Sequence, residues 1–197
     1  MRINLNGEQL FYTLEKEQYL GELLGSLEAA CRREHATIAN ISVDGKVIEP
    51  KALDTVFMMP VDADITVDLG TLSGAEIRDY MKKIAQELLS TAEAFEQIPV
   101  FMQTGKDGDA LSLLEIFSQK LNNLYRSLLL YDITELPADI QIEEKPLTEY
   151  QKEITALLQD IVTSIEEKDI IQVGDLAEYE LAPLVKTLVN GVSSFLI

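Results

Sequence analysis

Two periods of apolar spacing divide this chain, a spacing of two in its first third and helical spacing beyond it. Near the start, Ile3 and Leu5 stand opposite Leu10, Tyr12 and Leu14 across Asn6-Gly7. That dipeptide favours a two-residue turn in which both φ angles are positive, so the segment predicts a hairpin. From about Glu17 to Glu34 the pattern changes, and Leu20, Leu23, Leu24, Leu27 and Cys31 fall on one helical face. Gly21 and Gly25 interrupt this helix. Each costs about 1 kcal/mol against Ala, and close backbone approach to a sheet is the expected reason. Ile41 and Val43, the turn Asp44-Gly45, and Val47-Ile48 predict a second hairpin, followed by a short turn near Leu53. Asp64 to Leu69 alternates again, with Ile65, Val67 and Leu69 on one face.

Four amphipathic helices are expected next. The first, about Gly74 to Gln97, lines up Ile77, Met81, Ile84, Leu88 and Phe95 before Pro99 breaks it. The second, about Asp109 to Tyr131, has a narrow polar stripe of Ser112, Glu115, Gln119, Asn122 and Arg126. A helix so widely apolar belongs in the middle of a bundle or under a partner. The third, Thr148 to Glu167, carries Tyr150, Ile154, Leu157, Leu158, Ile161 and Ile165. The fourth, about Ile170 to Val192, carries Leu176, Leu184, Val185 and Leu188, with a kink expected at Pro183. Gly105-Lys106-Asp107 and Glu167-Lys168-Asp169 join the helices pairwise. In both turns Lys complements a helix C-terminus and Asp can cap the next helix. Asp169 and Gln172 have capping-box spacing. Thr134 to Pro146, with two prolines and four acids, reads as an extended connector.

Hairpin, helix, hairpin, short turn and closing strand within residues 1–70 resemble, in order and spacing, the ubiquitin superfamily. The resemblance implies a β-grasp fold. Conjugating and sulfur-carrying members end in a free diglycine, whereas here Asp68-Leu69-Gly70-Thr71-Leu72-Ser73-Gly74 leads straight into a helix. Conjugation is therefore not expected, and a docking platform is. The block Leu176-Ala177-Glu178-Tyr179-Glu180-Leu181-Ala182-Pro183, after Lys168-Asp169, is similar to the C-terminal motif of an uncharacterised family of bacterial helical proteins. Gly174 and Ala177 stand where larger apolar residues are expected. That resemblance implies a helical fold and carries no activity. The expected class is thus α+β: a ubiquitin-like β-grasp domain over 1–72, then an all-α four-helix domain of two helical hairpins over 73–197.

Charge narrows the choice of partners. The chain has 197 residues and a net charge of −18. Such a surface repels nucleic-acid phosphates and anionic lipid, so neither is an expected partner. A basic protein surface is a plausible one, and a homodimer remains open through the apolar second helix. No apolar run approaches the ~18 residues of a membrane span. No leader pattern is seen at the start, and the single cysteine, Cys31, fits a reducing compartment. A cytoplasmic location is the expectation.

Candidate chemistry is sparse. Val61-Asp62-Ala63-Asp64-Ile65-Thr66 matches the DxDxT pattern of haloacid-dehalogenase-type phosphotransferases. That chemistry needs a parallel doubly wound sheet, and only helices follow Thr66. Glu178 and Glu180, two apart on a helix, point to different faces and cannot share a metal. The lone histidine, His35, ends a helix beside Arg32 and Arg33 and reads as a surface residue. No catalytic residue, metal or cofactor is expected. The leading expectation is a non-enzymatic adaptor or assembly factor, with Phe117, Tyr125, Glu178, Tyr179 and Phe195 as the candidate partner surface. The alternative is a secretion or flagellar-export chaperone. An apolar groove near Phe117, Tyr125 and Phe195 would favour the chaperone, and a fully packed bundle the adaptor.

Overall fold

The computed structural model describes residues 1–61 and 64–196. The fold is mixed α+β, with an N-terminal mixed sheet followed by a helical region. Two compact units are present, one of residues 1–77 and 132–135, the other of residues 78–131 and 136–197.

In the first unit, β1 (Arg2–Leu5) and β2 (Glu8–Leu10) form a hairpin in which Asn6 and Gly7 take φ of 51° and 84°. Helix α1 (Leu20–Arg33) follows, then β3 (Ala36–Val43) and β4 (Lys46–Val47) around Asp44 and Gly45, both at positive φ. Helix α2 (Leu53–Phe57) and β5 (Thr66–Ser73) complete it. The strand order is β2-β1-β5-β3-β4, with β1 parallel to β5 and the other neighbours antiparallel. Ile3, Val43, Val67 and Leu69 of the sheet and Leu20, Leu23, Leu24 and Leu27 of α1 form the core.

Several expectations are corrected here. The returning strand stops at Leu10, leaving Phe11 90% exposed and Leu14 exposed outside the core. Helix α1 starts at Leu20 rather than Glu17, because Glu17 is engaged elsewhere. Its carboxylate accepts from the Tyr12 hydroxyl at 2.6 Å and from the amides of Glu15 and Lys16 at 2.9 and 3.1 Å. Glu22 then accepts from the amides of Gln18 and Tyr19 and closes the helix start. A Cβ on Gly21 would stand 2.9 Å from that of Phe57, so the close approach is to α2 and not the sheet. Gly25 faces open space, and no close approach explains it.

Helix α3 (Gly74–Glu93) begins in the first unit, enters the second at Arg78, and continues through a 3-10 turn over 94–97 into α4 (Ile98–Gln103), with Pro99 in the first turn of α4. Helix α5 (Asp107–Leu128) and the short α6 (Tyr131–Thr134) follow. Thr134 to Pro146 is not an extended connector. Residues 134 and 135 fall, with 132 and 133, in the first unit, and the rest of the stretch includes a hairpin of β6 (Gln141–Ile142) and β7 (Lys145–Pro146). The helical region is accordingly not all-α. Gly191 admits Ile142, whose Cγ2 would lie 2.4 Å from an added Cβ, and the Tyr150 hydroxyl donates to the Ile142 carbonyl at 3.3 Å. Long helix α7 (Leu147–Glu167) is followed by α8 (Ile170–Asp175), a π turn over 176–181, and α9 (Ala182–Phe195). Lys168 ends α7 at a φ of 59°, and Asp169 caps α8 by accepting from the Gln172 amide at 3.0 Å. At the matching turn it is Lys106 that occupies the cap position, with Asp107 inside α5.

Pro183 explains the π turn. It lacks an N–H, and its ring crowds the carbonyl four residues back, so widening the ladder before it relieves the clash that would otherwise kink the helix. The consequence is that Ala177 and Leu181 are buried while three consecutive residues, Glu178, Tyr179 and Glu180, face solvent. Gly174 faces Pro99 of α4, whose Cγ would lie 3.4 Å from an added Cβ, an ordinary contact that does not itself require glycine. The core of this unit joins Met81, Ile84, Leu88 and Phe95 to Phe117, Ile154, Ile161, Val185 and Leu188, all buried. Phe95 and Phe117 meet edge to face, their centroids 5.0 Å apart.

Candidate groove between two helices

A groove of about 730 Å³ runs between α5 and α7. Its lining is set by helical spacing. On α5, Ser118, Leu121, Asn122 and Tyr125 recur at three- and four-residue steps. On α7, Gln151, Thr155, Gln159 and Thr163 form a row at four-residue steps, with Leu158 and Val162 beside it. Such steps put each set on one face. Leu121, Tyr125, Leu158 and Val162 thus make an apolar floor between polar rims, and no formally charged residue lines the groove.

The rim groups differ in what they have left to offer. Ser118 donates to the Leu114 carbonyl at 2.8 Å, Thr155 to that of Gln151 at 2.7 Å, and Thr163 to that of Gln159 at 3.0 Å. These hydroxyl protons are spent within their own helices. The exposed side-chain amides of Asn122, Gln151 and Gln159 make no hydrogen bond among the described residues. Each keeps an oxygen acceptor and two N–H donors for something else.

Asn122, Tyr125 and Gln151 also border a second cavity of about 430 Å³, closed on the other side by Leu129, Tyr131, Pro137 and Ile140. Its only formally charged lining residues are Arg126 and Asp139. Tyr125, the wall between the two spaces, is 9% exposed, and its hydroxyl is buried without a hydrogen-bond partner among the described residues. Burial pushes the Tyr125 phenol well above its ordinary value of 10.0.

The structure scatters the five residues expected to form a partner surface. Tyr125 lies in the groove, whereas Phe117 is fully buried against Phe95 and presents nothing to solvent. Helix α5 is apolar on several sides, and spacing alone does not say which side meets the core. Phe195 is half-buried beside a separate hollow with Ile142 and Gly191, and Leu196 after it is buried, so this end of α9 docks on the unit. Ile197 lies outside the described residues. Glu178 and Tyr179 are exposed on the π turn, Tyr179 to 68%. Asp62 of the DxDxT stretch, its would-be nucleophile, lies outside the described residues.

His35 sits just past α1 at a φ of 53°, its Nε2 3.8 Å from Glu135. Cys31 is half-buried, and burial raises its thiol above the ordinary value. Among the described residues no group of three or more His, Cys, Asp or Glu side chains is placed to hold a metal, and no helix is long and apolar enough to cross a membrane. The sequence pattern marked Asn122 only as part of a polar stripe and did not single out the amides at 151 and 159. Their signal was present as four-residue spacing of uncharged polar residues, but only the pairing of α5 with α7 brings the two rows together.

The class defined by these observations is a mixed-sheet unit joined to a helical unit with a side groove. Residues 1–73 match the model of the TP0873 N-terminal domain, and residues 79–191 match a domain of unknown function, DUF8042. An uncharacterised protein of Treponema pallidum (strain Nichols) is 39% identical over 192 residues, spanning 98% of this chain and 96% of that protein. The chain belongs to this uncharacterised bacterial family, and in it the two domain matches stand in tandem. No solved structure matches it.

Proposed function

We propose that this protein is a non-enzymatic protein-binding module, an adaptor or assembly factor. In this reading a ubiquitin-like β-grasp platform precedes a bundle of two helical hairpins, and the groove between α5 and α7 receives a segment of a partner. The β-grasp reading is supported by the strand order β2-β1-β5-β3-β4 with parallel β1 and β5 and a helix packed on the sheet. The observation that carries the binding reading is the groove, a solvent-open space with an apolar floor and three free amides. Its lack of paired ionisable groups speaks for binding over catalysis, since catalytic sites gather such groups. The exposed Glu178-Tyr179-Glu180 turn supplies a second, acidic face suited to a basic partner. The export-chaperone reading is favoured by one specific feature, the passage of the groove along Tyr125. A reducing, cytoplasmic setting completes the proposal.

A photo-crosslinking amino acid placed at Thr163 in the groove, or at Tyr179 on the π turn, tests it in the full chain inside native cells. A discrete adduct with another protein from at least one position is expected. Absence of any adduct from both positions, with the protein folded and expressed, overturns the reading.

A further inference from the structure

We infer that the groove between α5 and α7 recognises the main chain of an extended, uncharged apolar segment of a partner protein, through the amides of Asn122, Gln151 and Gln159. The inference rests on the protein-binding reading above and specifies what is bound.

Three observations lead to it. The first is chemical. Within a chain carrying net charge −18, the groove lining holds no charge at all, so neither a phosphate nor an acidic or basic side chain finds a counter-ion there. What it does hold are side-chain amides, each able to donate and accept at once. An extended peptide exposes alternating N–H and C=O groups of the same kind, unpaired and needing partners. A partner helix has already paired its main chain internally and would leave these amides unanswered.

The second observation is dimensional. Gln151 and Gln159 are eight residues apart on α7, which at 1.5 Å per residue is about 12 Å. An extended strand repeats its orientation every two residues, or about 6.7 Å, so two repeats span roughly 13 Å. The two amides can therefore meet equivalent main-chain groups on one segment. From Gln151 to Thr163 the rim covers about 18 Å, room for five or six extended residues. Apolar side chains on one face of that segment would pack on Leu121, Leu158 and Val162, and one could enter the adjoining cavity past Tyr125.

The third is electrostatic and decides the occupant. A second copy of this chain would bring another −18 to the interface, and like charge opposes it. Outside its lining the same two helices carry both signs, Glu115 and Glu149 together with Arg126 and Lys152, so the surroundings do not favour a charged segment over an uncharged one.

The test pans a phage-displayed library of random twelve-residue peptides on the full chain. Enriched sequences should carry an apolar, uncharged stretch of about five residues. Synthetic forms methylated on alternate backbone nitrogens should bind at least about tenfold more weakly, as loss of one or more main-chain hydrogen bonds predicts. The triple variant Asn122→Leu, Gln151→Met and Gln159→Met keeps side-chain bulk at three exposed positions and should show the same loss while its circular dichroism is unchanged. Equal binding by the methylated peptides, equal binding to the triple variant, tighter binding of a helix-stapled form, or an empty selection would each overturn the inference. So would a dimer in sedimentation that the triple variant dissolves. An adduct from Tyr179 in the crosslinking experiment would leave the broader binding reading standing through any of these outcomes.

Discussion

Single carboxylates organise the N-terminal unit. Glu17 is half-buried, and the Tyr12 hydroxyl first, with backbone amides of residues 15–17, holds its pKa at about 2 against an ordinary 4.5. The folded value lies below the unfolded one, so the stabilisation is complete above pH 4.5 and is lost as pH falls toward 2. Glu17→Gln should therefore lower stability at neutral pH and flatten the acid-unfolding curve across that window. An acid limb identical to the parent's would contradict the assignment. Glu28 is a tighter tie. Burial pushes its carboxylate up, but the Ile38 amide, the Thr37 hydroxyl and Arg32 together outweigh it and hold it below its ordinary value. Each of those donors sits 2.8 Å away, linking α1 to β3. Glu28→Ala should cost roughly 1.5–3 kcal/mol, the range for hydrogen bonds to a charged group, measured by urea denaturation. Tyr125 runs the other way. Its orphaned hydroxyl carries a desolvation cost of about 1–3 kcal/mol, so Tyr125→Phe should raise the urea midpoint of the free protein. A lowered midpoint would mean that the hydroxyl has a partner.

Elements begin and end where a local signal meets a tertiary constraint. The two glycines of α1 make a direct comparison. Gly21→Ala forces a methyl against the Cβ and carbonyl of Phe57 and should destabilise by about 1–3 kcal/mol, the usual cost of overpacking. Gly25→Ala meets nothing within 4 Å and should stabilise by about 1 kcal/mol through helix propensity alone. Thermal unfolding of the two variants should shift in opposite directions. Shifts of the same sign would refute the packing of α1 on α2. The hairpins at Asn6-Gly7 and Asp44-Gly45 were legible in the sequence because positive φ is a demand of the turn itself. The hairpin of β6 and β7 was not, because its turn is Glu143-Glu144, two residues at φ of 52° and 64° that carry no turn signal. What holds it is tertiary: Ile142 seated at Gly191, and Lys145 lying over the Tyr150 ring and paired with Glu153.

Across the whole molecule, charge is the dominant variable. A net −18 stores self-repulsion in the compact state. Raising ionic strength from 0.01 to 0.1 M shortens the screening length from about 30 to about 10 Å, so the thermal midpoint should rise over that range. A midpoint that stays flat or falls would show that local ion pairs, such as Arg32 with Asp132 at 2.6 Å, outweigh the general repulsion. That ion pair also illustrates how the chain is organised. Asp132 stands 100 residues from Arg32 and belongs to the N-terminal unit, as do Ile133, whose carbonyl would lie 2.2 Å from a Cβ on Gly74, and Glu135.

Periodicity, turn dipeptides and caps are properties of a few adjacent residues. By themselves they specify the mixed strand-and-helix order, the buried faces of α1, α3 and α7 and the cap at Asp169. Tertiary structure alone decided the sheet order, the assignment of residues 132–135 to the first unit, the side of α5 that Phe117 takes, and the meeting of Asn122 with Gln151 and Gln159. Each of these depends on residues far apart in the chain competing for the same neighbours, and spacing along one segment carries no record of which neighbour wins.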